Sequence, residues 1–169
     1  GSGALMDLMD AGRHVGLDLV LMGHESSAAI TAAYYGYLRG GAGLAIGIKG
    51  PGAGNLVGGA VNAFFERMPV VCLCERMPRT SRIDIAQRCD QESLFSSISN
   101  STLEITEHCD PGSTIDAAFT AASAGRPGPT LLEWPSNMGQ TDAGSPSMPR
   151  PLTRLSGVTP DQASVDQAA

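Results

Sequence analysis

Short apolar runs that alternate with helical patterns, each closed off by glycine or proline, restrict this chain to a small set of folds. Residues 17–22, 43–48, 69–74, 103–105 and 130–134 are apolar enough to read as strands. Between them, residues 26–38, 53–65, 91–98 and 110–124 read as helices, the first from its alanines and apolar residues at helical spacing and the last from its Asp110-Pro111 opening. Gly40-Gly41 stops the first of these helices, and Gly125 with Pro127 stops the last. Strands that alternate with helices of about ten residues or more form βα units and pair in parallel. Strands covered on both faces read as near-continuous apolar runs, as residues 69–74 do. The expected fold is therefore α/β: a three-layer αβα domain whose central sheet is mostly parallel.

Composition narrows the function classes. With 169 residues, 42% of them hydrophobic, the chain can bury one sizeable core but not comfortably two. A net charge of −6 and the lack of any basic stripe argue against a nucleic-acid partner. No apolar run approaches the ~20 residues that cross a bilayer, and no charged n-region precedes an apolar stretch, so neither a membrane nor a secretory route is expected. Cys72, Cys74, Cys89 and Cys109 form no CxxC pair, and His14, His24 and His108 do not fall at zinc-finger spacing. These cysteines read as structural, reduced thiols, which favours the cytoplasm, and no metal set is expected in this chain.

Both ends read as cut. The chain opens on Gly1-Ser2-Gly3 without a methionine. From Gln140 to Pro160 it turns to Ser, Pro, Gly and Thr, the composition of a linker. Thr159-Pro160-Asp161-Gln162 then opens a helix, with an N-cap Thr, Pro at the first helical position and Gln at the third. The expected organisation is a domain over residues 1–137, a linker over 138–158, and the start of a following, truncated domain over 159–169.

Ligands of such sheets bind beyond the carboxyl ends of the strands. Two segments belong there: Met22-Gly23-His24-Glu25-Ser26 and Gly50-Pro51-Gly52-Ala53-Gly54-Asn55. Gly52, Gly54 and Gly58 follow a strand and open a helix, and Glu75 ends the next strand, where a dinucleotide fold keeps its ribose acid. A nicotinamide-binding turn, another ligand turn and a plain packing turn all fit, although Pro51 and the GxGxxxG spacing depart from GxGxxG. Glu25 at a helix start has an ordinary explanation too, an acid–dipole contact worth ~0.3–1 kcal/mol. His24 reads equally well as a loop side chain, Trp134 as a core residue, and Arg39 and Lys49 as solvent-facing cations.

Taken in order, these segments resemble the pyrimidine-binding domain of thiamine-diphosphate enzymes. Gly23-His24-Glu25-Ser26-Ser27-Ala28-Ala29 with Tyr34-Tyr35-Gly36-Tyr37-Leu38-Arg39 is similar to that family's "HE-x-x-A … GYAR" segment. Gly50-Pro51-Gly52-Ala53-Gly54-Asn55 is similar to its "GPGATN" turn, and the helix after it likewise ends before "P-V-V". Gln87-Arg88-Cys89-Asp90-Gln91 with Leu94-Phe95 resembles "Q-x-x-D … L-F". Gly125-Arg126-Pro127-Gly128-Pro129 through Trp134-Pro135-Ser136-Asn137 resembles "GRPGPV … IP-x-N". Gly1-Ser2-Gly3 resembles the "PGSG" loop after the family's first strand, which would then be missing. The likeness is greatest to the acetolactate synthase, benzoylformate decarboxylase and sulfopyruvate or phosphonopyruvate decarboxylase group.

The resemblance implies a role for each candidate residue. Glu25 would be the catalytic carboxyl that shares a proton with N1′ of the cofactor's aminopyrimidine, so it must be held dry and able to carry a proton near neutral pH. Glu25, Gly50, Pro51, Gly52 and Asn55 would bind the cofactor, and Ser2, His24 and Gln87 would line the substrate pocket. The cofactor implied is thiamine diphosphate with Mg2+. The family's "GDG … N-N" diphosphate–metal motif is not in this chain, so a diphosphate-binding domain or subunit is the implied partner. An FAD site would lie mostly in a central domain, and the resemblance leaves it open. The implied assembly is a homo-oligomer, and the implied substrate is a 2-oxo acid, decarboxylated or ligated. Two departures bear on that pocket: Ala86-Gln87 stands where carboligases commonly carry Phe-Gln, and Gly23 stands where Arg is frequent. Other readings are a natural small subunit of a two-chain sulfopyruvate- or phosphonopyruvate-type decarboxylase, a nicotinamide-dinucleotide module, and a non-catalytic relic that only dimerises.

Overall fold

In a computed structural model, which describes residues 4–82, 86–140 and 161–168, the chain runs as alternating strands and helices. Helices α1 (Ala4–His14) and α2 (Glu25–Leu38) lead into strand β1 (Gly43–Gly47), helix α3 (Pro51–Glu66) and strand β2 (Val70–Arg76). Helix α4 (Gln91–Phe95), strand β3 (Ser101–Glu104), helix α5 (Pro111–Ser123) and strand β4 (Pro129–Pro135) follow, with a 3-10 turn at Met138–Gln140 and helix α6 (Gln162–Ala168) beyond. The sheet order is β1-β2-β4-β3, with every pair parallel. The α/β fold and parallel sheet expected from the sequence are therefore present.

The period-two alternation of a strand makes the two faces of the core. Along β2, Val70, Cys72 and Cys74 point into a cluster with Ala29 and Ala33 of α2, Leu56, Ala60 and Ala63 of α3, and Phe95 of α4. Val71 and Leu73 point the other way, into a cluster with Ala118 and Ala122 of α5, Leu132 of β4 and Leu8 of α1. Helices thus cover both faces, which gives the three layers. Burial pushes the Cys72 thiol up to about 12, so it behaves as a small hydrophobe in that core.

One expectation needs correction, and one element was not foreseen. Residues 17–22 form no strand; Leu17, Val20 and Leu21 are 56%, 78% and 90% exposed. An apolar run becomes a strand only with a neighbour to take its backbone hydrogen bonds. The outer edge of β1 carries no strand among the described residues, and Leu17 N–H turns back to Gly12 O at 2.9 Å. Helix α1 was not expected, although Leu5, Leu8 and Gly12 lie on one side of it, with Leu5 and Gly12 buried.

Helices α2 and α3 approach closely because their contact is built of small residues. A Cβ on Gly59 would stand 2.5 Å from Ser26 O and 2.6 Å from Ala29 Cβ. Gly59→Ala must therefore push the helices apart. A loss of about 1–3 kcal/mol is expected, the usual result of overpacking a tight contact. Urea denaturation compared with Gly54→Ala, whose Cβ would meet nothing within 4 Å, checks this.

Candidate functional site

The site stands where α2 and α3 begin side by side. His24 is the N-cap of α2, in extended backbone, and its Nδ1 accepts from Ser26 N at 3.1 Å. Glu25 is the first residue of the helix and is half-buried. Helix α3 opens with Pro51 at its first turn, where the fixed φ of proline suits the helix and its missing N–H costs nothing. Gly50 caps that helix at φ 67°, ψ −108°, a conformation that side chains rarely adopt. A Cβ there would stand 2.6 Å from Gln87 O and 3.0 Å from Gln87 Cα.

The two glycine-flanked segments meet. Asn55 Nδ2 donates to Glu25 Oε2 at 3.0 Å, and Ser26 Oγ donates to Asn55 O at 2.5 Å. Glu25 Oε1 lies over the glycine turn: a Cβ on Gly52 would be 3.5 Å from it. Nothing lies within 4 Å of the Cβ position of Gly54. The arrangement presents one carboxyl oxygen, with an amide on its other oxygen, beside a glycine turn that is open at Gly54 and backed at Gly52 by Ile48 Cγ1, 2.8 Å from a Cβ built there. A carboxyl held in this way can exchange a proton with a nitrogen placed against its free oxygen.

Behind the turn the carboxyl ends of the strands carry a charged layer. Lys49 Nζ pairs with Glu75 Oε1 at 2.9 Å, with side chains 14% and 1% exposed. Lys49 is therefore not the solvent-facing cation that the sequence suggested, whereas Arg39 is exposed, its guanidinium 6.0 Å from the centre of the Tyr35 ring. Arg76 bridges Glu104 at 2.5 Å and Glu133 at 3.4 Å. Burial pushes the Glu133 carboxyl above the ordinary range, and the opposing charge of Arg76 does not restore it. Burial also pushes Glu104 up, but hydrogen bonds from Arg76 and Arg79 outweigh it and leave that carboxyl low. A cleft of about 490 Å³ opens beside this layer, with Arg76, Arg88, Gln91 and Glu133 in its wall.

Glu25, Gly50, Pro51, Gly52 and Asn55 thus come together, with the backbone of Gln87 against Gly50. Gln87 is exposed at φ 65°, and His24 is exposed, one imidazole nitrogen already engaged as a cap. Ser2 lies outside the described residues. Gln91 escaped notice as a site residue: it is 2% exposed, its Oε1 accepts from Gly50 N at 3.0 Å, and its Nε2 donates to Glu133 Oε1 at 3.2 Å. Its sequence signals were its place at a helix start and directly after the Gln87–Asp90 motif, at a position to which the motif assigns no residue. Among the described residues no helix is long and apolar enough to cross a membrane.

Comparison with known proteins shows the family. The chain is 34% identical over 161 residues to a probable acetolactate synthase large subunit of Methanococcus aeolicus, covering 94% of this chain and 27% of that protein. It is 33% identical over 147 residues to the catabolic acetolactate synthase of Raoultella terrigena, covering 86% and 26%. The acetolactate synthase of Bacillus subtilis is 32% identical over 138 residues, covering 80% and 24%. The chain thus spans about a quarter of the length of these curated relatives. The sequence profile described as "Thiamine pyrophosphate enzyme, N-terminal TPP binding domain" matches residues 2–96, where both glycine-flanked segments lie. A parallel α/β sheet, the paired segments at its carboxyl end and this match over more than half of the chain agree: the chain belongs to the family of N-terminal TPP-binding domains of thiamine pyrophosphate enzymes.

Proposed function

We propose that this chain supplies the aminopyrimidine side of an interface active site in an acetolactate-synthase-like enzyme that acts on 2-oxo acids. The observation that carries this reading is the Glu25–Asn55 contact above Gly52. In this reading a flat aminopyrimidine lies along the open side of the turn, at Gly54, and the carboxyl meets its ring nitrogen N1′. When bound, thiamine diphosphate supplies a nucleophilic carbon, C2 of its thiazolium ring, for addition to the 2-oxo group. The chain's own work is narrower. Asn55 holds Oε2 of Glu25, so Oε1 is left to share a proton with N1′. His24 and Pro51 fix the starts of the two helices, so the carboxyl and the glycine turn keep their spacing.

The diphosphate and its Mg2+ belong, in this reading, to a second domain or subunit, and the domain boundary falls near residue 137. A homo-oligomer brings the two halves together. Exposed Ile30, Tyr34, Tyr37 and Leu38 on α2 are the kind of apolar surface that such a partner covers. The nicotinamide reading is disfavoured by Glu75, which is 1% exposed and paired with Lys49 instead of offered to a ribose.

Calorimetry with Mg2+ and thiamine diphosphate tests the reading. The full-length enzyme should bind the cofactor saturably at micromolar concentration, while residues 1–169 alone should bind weakly or not at all. Neutralising the diphosphate supplies much of the affinity, and those groups lie elsewhere. An analogue with carbon in place of N1′ should bind the full-length enzyme less tightly. Equal affinity for that analogue, or no cofactor binding by the full-length enzyme, would overturn the assignment.

A further inference from the structure

The first N–H of helix α3's start is held from outside the helix. The Gly50 N–H is at the N-cap, outside the helical hydrogen-bond pattern, and Gly50 is buried. Its buried partner is a side chain 41 residues further on, Gln91 Oε1 at 3.0 Å, and the exposed Cys89 thiol shares the same backbone donor. A glutamine amide can face either way, and here the choice is fixed from behind. Gln91 Nε2 donates to Glu133 Oε1 at 3.2 Å, and Glu133 Oε2 lies 3.4 Å from Arg76 Nε. The carboxylate accepts only, so it orients the amide with Oε1 toward the turn. On the other side, the backbone of Gln87 closes against the Gly50 α-carbon, leaving no room for a side chain.

From this geometry we infer that Gln91 is a positioning residue for the glycine turn at the cofactor site, with Glu133 setting the direction of its amide. The inference rests on the thiamine reading above. The chain of contacts runs from Arg76 through Glu133 and Gln91 to Gly50 N–H, then through the first turn of α3 to Asn55 and Glu25. Ala53 N–H bonds back to Ile48 O and Gly54 N–H to Gly50 O, both at 2.9 Å, so a released Gly50 loosens the turn from which Asn55 reaches out. Gln91 touches neither the cofactor nor the reacting atoms in this reading. It acts through the turn.

The test uses the full-length enzyme with Gln91→Met and Gln91→Glu. Methionine is close to glutamine in volume, so a residue that only filled space would tolerate it. Hydrogen exchange of the amides of Gly50, Gly52, Ala53, Gly54 and Asn55 is measured without cofactor and set against wild type at the same pH. In Gln91→Met these amides should lose about tenfold in protection, the share of one buried hydrogen bond, while amides of β2 keep theirs. The dissociation constant for thiamine diphosphate should rise by a similar factor. Gln91→Glu should behave like Gln91→Met at high pH, where two carboxylates would face each other. It should return toward wild type as pH falls, because a protonated carboxyl can again accept from Gly50 and donate to Glu133. Besides Glu133, the ionisable groups lining the cleft at that position are Arg76, Arg79, Arg88, Cys89, Asp90 and Glu92, and they are common to all three proteins. Unchanged turn protection in Gln91→Met overturns the inference, as does a loosened turn with unchanged cofactor affinity. If the turn loosens but the wild-type enzyme binds no cofactor, the thiamine reading falls and the role of Gln91 in holding the turn is upheld.

Discussion

Glu25→Gln in the full-length enzyme is expected to slow C2-proton exchange of bound thiamine diphosphate by about 10²–10⁴-fold and to leave the melting temperature unchanged. The amide matches the carboxyl in size and still reaches a ring nitrogen, but it has no proton to share at neutral pH. The loss corresponds to about 3–5 kcal/mol of barrier. Asn55 has a carbonyl as well as an amide, so a half-turn of its side chain gives the introduced amide a partner and spares the fold. A helix-dipole role for Glu25 predicts the opposite pattern: a stability change of at most ~1 kcal/mol and normal exchange. Nuclear magnetic resonance of the cofactor C2 proton in deuterated buffer distinguishes the two. Undiminished exchange in the variant would remove Glu25 from the chemistry.

The second large effect is on stability. Lys49→Met should cost about 3–5 kcal/mol, because it strands the Glu75 carboxylate in a site with 1% exposure. That carboxylate has little else to lean on, since its Oε2 has no hydrogen-bond partner. Against a typical total of ~5–15 kcal/mol, this is a sizeable share of the folding free energy. The double change Lys49→Met with Glu75→Leu should recover most of the loss, because an ion pair replaced by well-packed apolar groups is often neutral or better. Denaturation followed by circular dichroism gives the comparison. A double variant no more stable than Lys49→Met alone would mean that the pair is not what holds this end of the sheet.

How far the sequence disclosed these features depended on whether their causes were local. The Asp110-Pro111 opening located α5, and the pattern of apolar residues located α2, α3, β1, β2 and β4 because burial on one or two faces writes itself into neighbouring positions. Residues 17–22 misled for the same reason: they have strand composition, but a strand needs a partner for its backbone, and composition carries no sign of one. Within the candidate site, the helix start at Glu25 and the Gly50 turn have local signatures, but only the resemblance gave them a cofactor role. Lys49 and Gln91 were not legible in that way. Each is defined by a partner far along the chain, Glu75 at a separation of 26 residues and Gly50 at 41, and no pattern in one sequence encodes such a pairing.

The placement of the aromatic residues has a practical consequence. The chain has three tyrosines and one tryptophan. All three tyrosines, Tyr34, Tyr35 and Tyr37, stand on α2, the helix that Glu25 begins, while Trp134 stands on β4, next to Glu133. Excitation energy passed from tyrosine to tryptophan within this chain therefore has one donor helix and one acceptor strand. Its efficiency is a built-in optical ruler between the element that carries the proton-sharing carboxyl and the strand whose glutamate steers Gln91.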